Sequence, residues 1–395
     1  MSTSQPLDRP ASCISRQRVI EINARAWRYW CWRAHQPGAW TRDYLAHRGL
    51  PHLDAGHAPR GWDRARRALN RSGFTDDELL AAGLLRRTSS GTLIDTFRDR
   101  LVLPIRDGDD AIIGFTARRH PVLDSDPDTR APKYLNTTTT PAFDKSRVLY
   151  GLDRNATATL DTGEGRAVIV EGALDAEAVR SLHGPLVTVA PCGTAFTSGH
   201  VQVLANIHAW TLGEAVITFD PDAAGQTATR RLWEVLPAAV AAQIHAARLP
   251  VDPAQMVQDG RADELARLLA SAPRYIDLLV DDHLEHLAPT VEEQLTALQC
   301  LAVRVARLDA YTLGEVVERL SDGYRSDPRA WLAPPSVVEA FINAHEARAR
   351  GSRSGIGDRP RTALSARGGG MDVGPSPPRA SVRPPSHRSA PAAER

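Results

Sequence analysis

The 395-residue chain is 42% apolar and carries a formal net charge of +1. That is enough apolar content for two or three packed units, and too balanced a charge for a globally basic nucleic-acid coat. There is no secretory leader pattern and no apolar stretch of membrane-span length, so a cytoplasmic protein is expected. Cys13, Cys31, Cys192 and Cys300 form no C-x-x-C pair, which argues against both a disulfide framework and a bound zinc.

Residues 1–15 read as a polar tail that lacks order, and 16–40 as a helical lead-in. The repeat of Val19, Ile22, Ala26 and Trp30 marks one helical face, ended by Pro37-Gly38. Trp27, Tyr29, Trp30 and Trp32 interleave there with Arg25, Arg28 and Arg33. Such a pattern suits base stacking over a cationic groove, but tryptophans packed inward under snorkelling arginines are the favoured reading.

Residues 41–155 mix α and β, with loops at 107–110 and 124–132. From 156 to 255 strand and helix alternate: strands at 167–170, 186–189 and 215–219, helices near Ala176, Val201 and Thr229. These short β-branched runs predict a buried parallel sheet. Residues 256–345 turn helical, with Val291, Leu295, Leu298, Ala302 and Val305 as the apolar stripe. From 346 to 395 Arg, Pro, Gly and Ser predominate, and a disordered basic tail is expected. The fold class predicted is α/β: a mixed α+β amino-terminal subdomain, a parallel-sheet α/β domain, and a helical carboxyl-terminal subdomain.

The chemistry concentrates where two of these strands end. Glu171 closes AVIVEG, and Asp220 and Asp222 follow AVITF in FDPDAAG. Ligands of parallel sheets gather at the carboxyl ends of strands, and hard divalent cations take carboxylate oxygens there while keeping room for water and phosphate. A D-x-D alone is common; strand, Glu-Gly, about fifty residues, then strand and D-x-D-x-x-G is much more specific.

The pair VEGALDAEAV and FDPDAAG resembles the Toprim fold. Upstream, WTRDYLAHRGL, FRDRLVLPIRDGDDAIIGFTARR and APKYLNTTTTPAFDKSRVLYGLD resemble, in order, the catalytic core of bacterial-type, DnaG-like DNA primases. The resemblance covers roughly residues 16–270. It implies a nucleotidyltransferase that makes short RNA primers on single-stranded DNA from ribonucleoside triphosphates, using Mg²⁺ or Mn²⁺. Glu171, Asp220 and Asp222 become the core metal and catalytic residues, with Asp175 and Asp252 as further acids. Where the family tends to have a second acid after Asp252, this chain has Ala254. Arg48, Arg98, Arg100, Arg118, Lys133, Tyr134, Asn136 and Lys145 become the nucleotide and template contacts.

Usage within the chain supports the lysines. All but two of the 48 basic residues are arginine, and both exceptions, Lys133 and Lys145, fall inside these motifs. A compact ammonium is a point charge suited to a phosphate in a tight space. Gly193 and Thr194, after a strand and before a helix, offer either a phosphate approach or a simple turn. The family usually begins with a zinc module, for which this sequence offers no cysteine pair. That leaves open an accessory factor that binds single-stranded DNA without independent synthesis, and, further off, a Toprim nuclease or topoisomerase. A replicative helicase or a separate zinc-bearing protein is the expected partner class, in a nucleoid-associated cytoplasmic setting.

Overall fold

The helix Arg16–Ala34 starts at Ser15, whose hydroxyl accepts from the Arg18 N–H at 3.2 Å. Its expected face is the one buried: Val19, Ile22, Ala26 and Trp30 are at most 1% exposed. Trp30 meets Phe97 and Phe115 edge-on at 5.7 and 4.9 Å. Trp32, by contrast, is 55% exposed, so not every tryptophan of the helix packs inward. This computed structural model describes residues 14–354 apart from 164, 183, 194 and 208–213, so Thr194 and most of both predicted tails lie outside the described residues.

The strands in chain order are β1 (Gly56–Ala58), β2 (Leu85–Arg87), β3 (Leu93–Asp95), β4 (Arg100–Arg106), β5 (Ile112–Arg119) and β6 (Tyr134–Asn136) in the amino-terminal half. An antiparallel sheet runs β1-β4-β5-β6, with β2-β3 as a separate hairpin. In β4, alternation sends Leu101, Leu103 and Ile105 into one core and Val102 into another beneath the first helix.

Five further strands follow: β7 (Leu149–Tyr150), β8 (Arg166–Ile169), β9 (Leu186–Pro191), β10 (Val216–Ile217) and β11 (His245–Ala246). Their order is β11-β10-β8-β9-β7, parallel throughout except for β7. β8 is buried on both faces. Ala167 and Ile169 join a core with the carboxyl-terminal helices, whereas Val168 and Val170 join one shared with Leu103, Ile105 and Phe143 of the amino-terminal half. The boundary expected at 155/156 thus falls inside the helix Arg154–Asp161, and the sheet takes an edge strand from before it.

Two local expectations are corrected. In the helix Val291–Val305 the buried side includes Gln294 and Leu301, while Val291 and Leu295 are exposed. Gln294 is accommodated because its amide donates to the Ala288 and Arg329 carbonyls, both at 2.8 Å, and its oxygen accepts from Trp331 N–H. The last helix runs Pro334–Ser354, past the residue at which disorder was expected, since the segment EARAR is rich in helix formers. By its contacts the chain divides into residues 1–348 and 349–395, and the latter is described only for the end of that helix. No helix among the described residues is long and apolar enough to cross a membrane.

Candidate active site

Two strand ends and two helices bring the acids together at the carboxyl end of the five-stranded sheet. Glu171 follows β8 and Asp220 follows β10, and the Asp220 N–H donates to Glu171 Oε1 at 2.9 Å. Asp175 sits in the first turn of the helix Ala173–Arg180, and Asp252 caps the helix Pro253–Gln258, accepting from Gln255 N–H at 2.7 Å. Glu171, Asp175, Asp220 and Asp252 line one cleft of about 440 Å³.

Asp222 is placed differently from the other acids. It caps the helix Ala223–Val235, its Oδ1 taking the Gly225 N–H at 2.8 Å, and it is exposed at the rim instead of lining the cleft. It still lies close enough to raise the proton affinity of both Glu171 and Asp220.

The glycine of D-x-D-x-x-G has a steric reason. A Cβ on Gly225 would lie 2.1 Å from the Asp220 carbonyl oxygen and 2.7 Å from Glu171 Oε1.

Burial is the first cause of the raised pKa values of Glu171, Asp175 and Asp220. Mutual repulsion adds to it: Asp220, Asp222 and Asp252 act on Glu171, Asp252 and Asp220 on Asp175, and Asp252 and Asp222 on Asp220. Lys133 opposes this at Asp220, and Arg48 at Asp175. Among the described residues no three potential ligands converge as a preformed metal cage. The donor set is nevertheless hard oxygen in negative excess, which fits a divalent cation that keeps much of its water and uses few protein ligands.

The rest of the polar lining is basic and aromatic. Arg48 approaches Asp252 at 3.7 Å and donates to Gln255 Oε1 at 3.4 Å, and its Nε has no partner. Arg118 is 6% exposed, pairs with Asp124, and lies 4.7 Å over the Tyr44 ring. Lys133 and Tyr134 complete this lining, and burial pushes the Tyr134 hydroxyl well up.

The remaining predicted contacts lie apart from this cleft. Arg100 is 5% exposed and spends its guanidinium on the carbonyls of Ala117 and Pro132, at 3.0 and 2.9 Å. It therefore fixes the segment that carries Lys133 and leaves no face for a phosphate. Arg98 stacks 4.0 Å over Trp62. Lys145 is exposed and does not line the cleft; its carbonyl lies 3.0 Å from His200 Nε2. Asn136 abuts Gly193, whose φ is +73° and whose Cβ would lie 2.2 Å from Asn136 Nδ2. A tight turn and this close approach explain Gly193 without a phosphate.

Tyr44, Asp124 and Gln255 also line the cleft and were not singled out from the sequence. Tyr44 lies four residues before Arg48, a helical spacing that signals a shared face; nothing local marks Asp124.

Residues 33–156 match the family described as the DNA primase catalytic core, N-terminal domain, and residues 165–249 match the Toprim domain. The chain carries the N-terminal domain of a DNA primase catalytic core followed by a Toprim domain.

It is 32% identical to a DNA primase of Mycolicibacterium smegmatis over 357 residues, 86% of this chain and 53% of that one. Identity to the DNA primase of Streptomyces coelicolor is 42% over 200 residues, 49% of this chain and 30% of that one. The chain thus spans about a third to a half of these primases' length. Among solved structures, the RNA polymerase domain of Mycobacterium tuberculosis primase in complex with double-stranded DNA is similar. It has a TM-score of 0.65 and 28% identity, over 78% of this chain and 98% of that one. A DnaG primase catalytic domain bound to single-stranded DNA is similar at a TM-score of 0.62 and 27% identity, over 77% and 96%.

Proposed function

We propose that this chain is the polymerising unit of a primase, joining ribonucleotides into short RNA primers on single-stranded DNA. The observation that carries the reading is one cleft lined both by Glu171, Asp175, Asp220 and Asp252 and by Arg48, Arg118 and Lys133. Such a pairing holds divalent cations against a triphosphate. Mg²⁺ or Mn²⁺, when bound, lowers the pKa of the attacking 3′-hydroxyl and offsets charge on the departing pyrophosphate.

The chain's own residues supply the rest. Asp220 and Asp222, with Asp175 and Asp252 behind them, provide the carboxylate charge. Glu171, half-buried and raised in pKa, is assigned as the proton acceptor. Lys133, Arg118 and Arg48 hold triphosphate or template phosphates, and Tyr134 orients the base or ribose. Work on a DNA template places the protein at the nucleoid, with a helicase or a zinc-bearing protein acting in trans as the partner class.

The test is primer synthesis from labelled ribonucleotides on single-stranded DNA with Mg²⁺ or Mn²⁺, comparing the chain with an Asp220→Ala, Asp222→Ala variant. Short RNA made only by the parent supports the reading; equal synthesis by the variant refutes it. One observation favours a partner-dependent enzyme as the second reading. Ala254 is fully buried where a second acid is usual, and its N–H, 3.4 Å from Asp175, adds no charge. Synthesis that appears only after adding a zinc-bearing partner would decide for it.

A further inference from the structure

A second cavity touches Asp220 but shares no other residue with the acid cleft. It encloses about 330 Å³ where the ends of β10 and β11 meet the helices Ala223–Val235 and Tyr275–Glu285, and the helix Val291–Val305 contributes Arg304. Its apolar lining includes Phe219, Leu249, Tyr275, Leu278 and Leu279. The last three follow a helical spacing and share one face, yet each stays half-buried beside the cavity instead of closing over it.

Three arginines stand around this apolar lining. Arg248 is engaged, since it donates to the Leu278 carbonyl at 3.5 Å and lies 3.7 Å from Asp282. Arg230 and Arg304 pair with no carboxylate among the described residues and donate no hydrogen bond there, and the Tyr275 hydroxyl donates to no acceptor. Burial raises the pKa of that hydroxyl, and Arg304 and Arg230 are near enough to draw it back down. Two unspent guanidiniums and an unspent hydroxyl thus gather at one apolar cavity, a combination that meets an anion joined to an apolar or aromatic body. Of the two acids in the lining, Asp282 faces Arg248 and Asp220 borders the acid cleft as well.

Two observations narrow the ligand. Small-molecule sites run from about 300 to 1,000 Å³, so this cavity has room for one mononucleotide and none for a strand or a lipid chain. Gln226 in the lining makes only a 3.4 Å bond to the Pro221 carbonyl, which leaves an amide edge of the kind that pairs with a base.

We propose that this cavity binds a nucleoside mono- or diphosphate without a metal ion, its base against Phe219, Leu278 and Leu279 and its phosphate on Arg230, Arg304 and the Tyr275 hydroxyl. Phe219, Asp220 and Pro221 form part of its wall, so an occupied cavity braces the strand end from which Asp220 serves the acid cleft. The binding does not rest on the primase reading.

The test is fluorescence anisotropy of mant-ADP titrated with the full chain in EDTA, where the acid cleft has no cation to hold a phosphate. Saturable binding is expected, weakened roughly 10-fold or more in an Arg230→Gln, Arg304→Gln variant and about 3- to 10-fold in Tyr275→Phe. Lys133→Ala should leave this affinity unchanged, because Lys133 lines only the acid cleft. Arg230 is exposed, so Arg230→Gln alone keeps the fold, and Tyr275→Phe keeps the ring that lies 5.9 Å from Trp233; urea midpoints check both. No saturable binding, or equal affinity in the parent and the arginine variants, overturns the proposal. So does a loss in Lys133→Ala as deep as in the double variant, which would put the nucleotide in the acid cleft, or displacement by pyrophosphate as effective as by ADP, which would leave the base unrecognised. If Asp220→Ala, Asp222→Ala retains synthesis while mant-ADP still needs Arg230 and Arg304, the primase assignment fails and the nucleotide cavity stands.

Discussion

Replacing Gly225 by alanine sets two effects of known size against each other. Gly225 lies inside the helix Ala223–Val235, where alanine is intrinsically better by about 1 kcal/mol. Its added Cβ, however, would lie 2.1 Å from the Asp220 carbonyl oxygen and 2.7 Å from Glu171 Oε1. The nearer atom is backbone and has no rotamer to escape into, so the cost belongs at or above the upper end of the ~1–3 kcal/mol seen for overpacking. The clash wins by about 2 kcal/mol or more. Urea denaturation should show a lower midpoint with unchanged slope. The displaced atoms are those that hold the Asp220 N–H on Glu171, so calorimetric Mn²⁺ affinity and primer synthesis should fall together. A variant with parental midpoint, metal affinity and synthesis would refute the account of the motif's glycine and of the Glu171–Asp220 pair.

Three further outcomes are expected. Asp175 has a folded pKa above its unfolded value, so it favours folding below about pH 4 and that contribution is lost as pH rises through the folded pKa, at up to about 1.4 kcal/mol per pH unit. In EDTA, Asp175→Asn should therefore gain stability relative to the parent between pH 5 and pH 8, and Mg²⁺ should narrow the gap by stabilising the parent; a gap independent of pH in EDTA would contradict the repulsion described. Arg100→Met removes charge-assisted bonds to the Ala117 and Pro132 carbonyls and should cost about 2–4 kcal/mol in denaturant titrations, whereas Arg98→Ala, at a partly exposed side chain, should cost only about 1 kcal/mol; equal costs would show that Arg100 is not structural. Lys133→Ala should raise the nucleotide KM several-fold and Lys145→Ala much less, because only Lys133 lines the acid cleft; the reverse order in steady-state kinetics would restore equal status to the two lysines.

The elements that position the site were legible because their signals are local. β-branched runs followed by Glu171 and by Asp220 mark buried strands and their ends, and the first helix buries the face its repeat predicts. The D-x-D-x-x-G spacing likewise contains its own reason, since Gly225 lies against the very carboxylate and carbonyl that define the site. What the sequence could not assign was the side on which each charged group would finish. Arg98, Arg100 and Arg118 read alike along the chain. Yet Arg100 is enclosed by carbonyls from Ala117 and Pro132, Arg118 lies over Tyr44, and Arg98 lies on Trp62. Asp222 reads like Asp220 but caps a helix, and Asp175 meets Asp252 from a distant segment.

Period and burial pattern determine an element and its inner face, because both depend on neighbours a few residues away. The partner of a guanidinium or carboxylate depends on which distant carbonyl, ring or charge the packed layers bring within reach, and only the tertiary structure decides that. Trp32 and Arg33 are visible as a pattern in the sequence, but Arg64 and Arg71 come to line one cleft with them only after the first helix packs beside theirs.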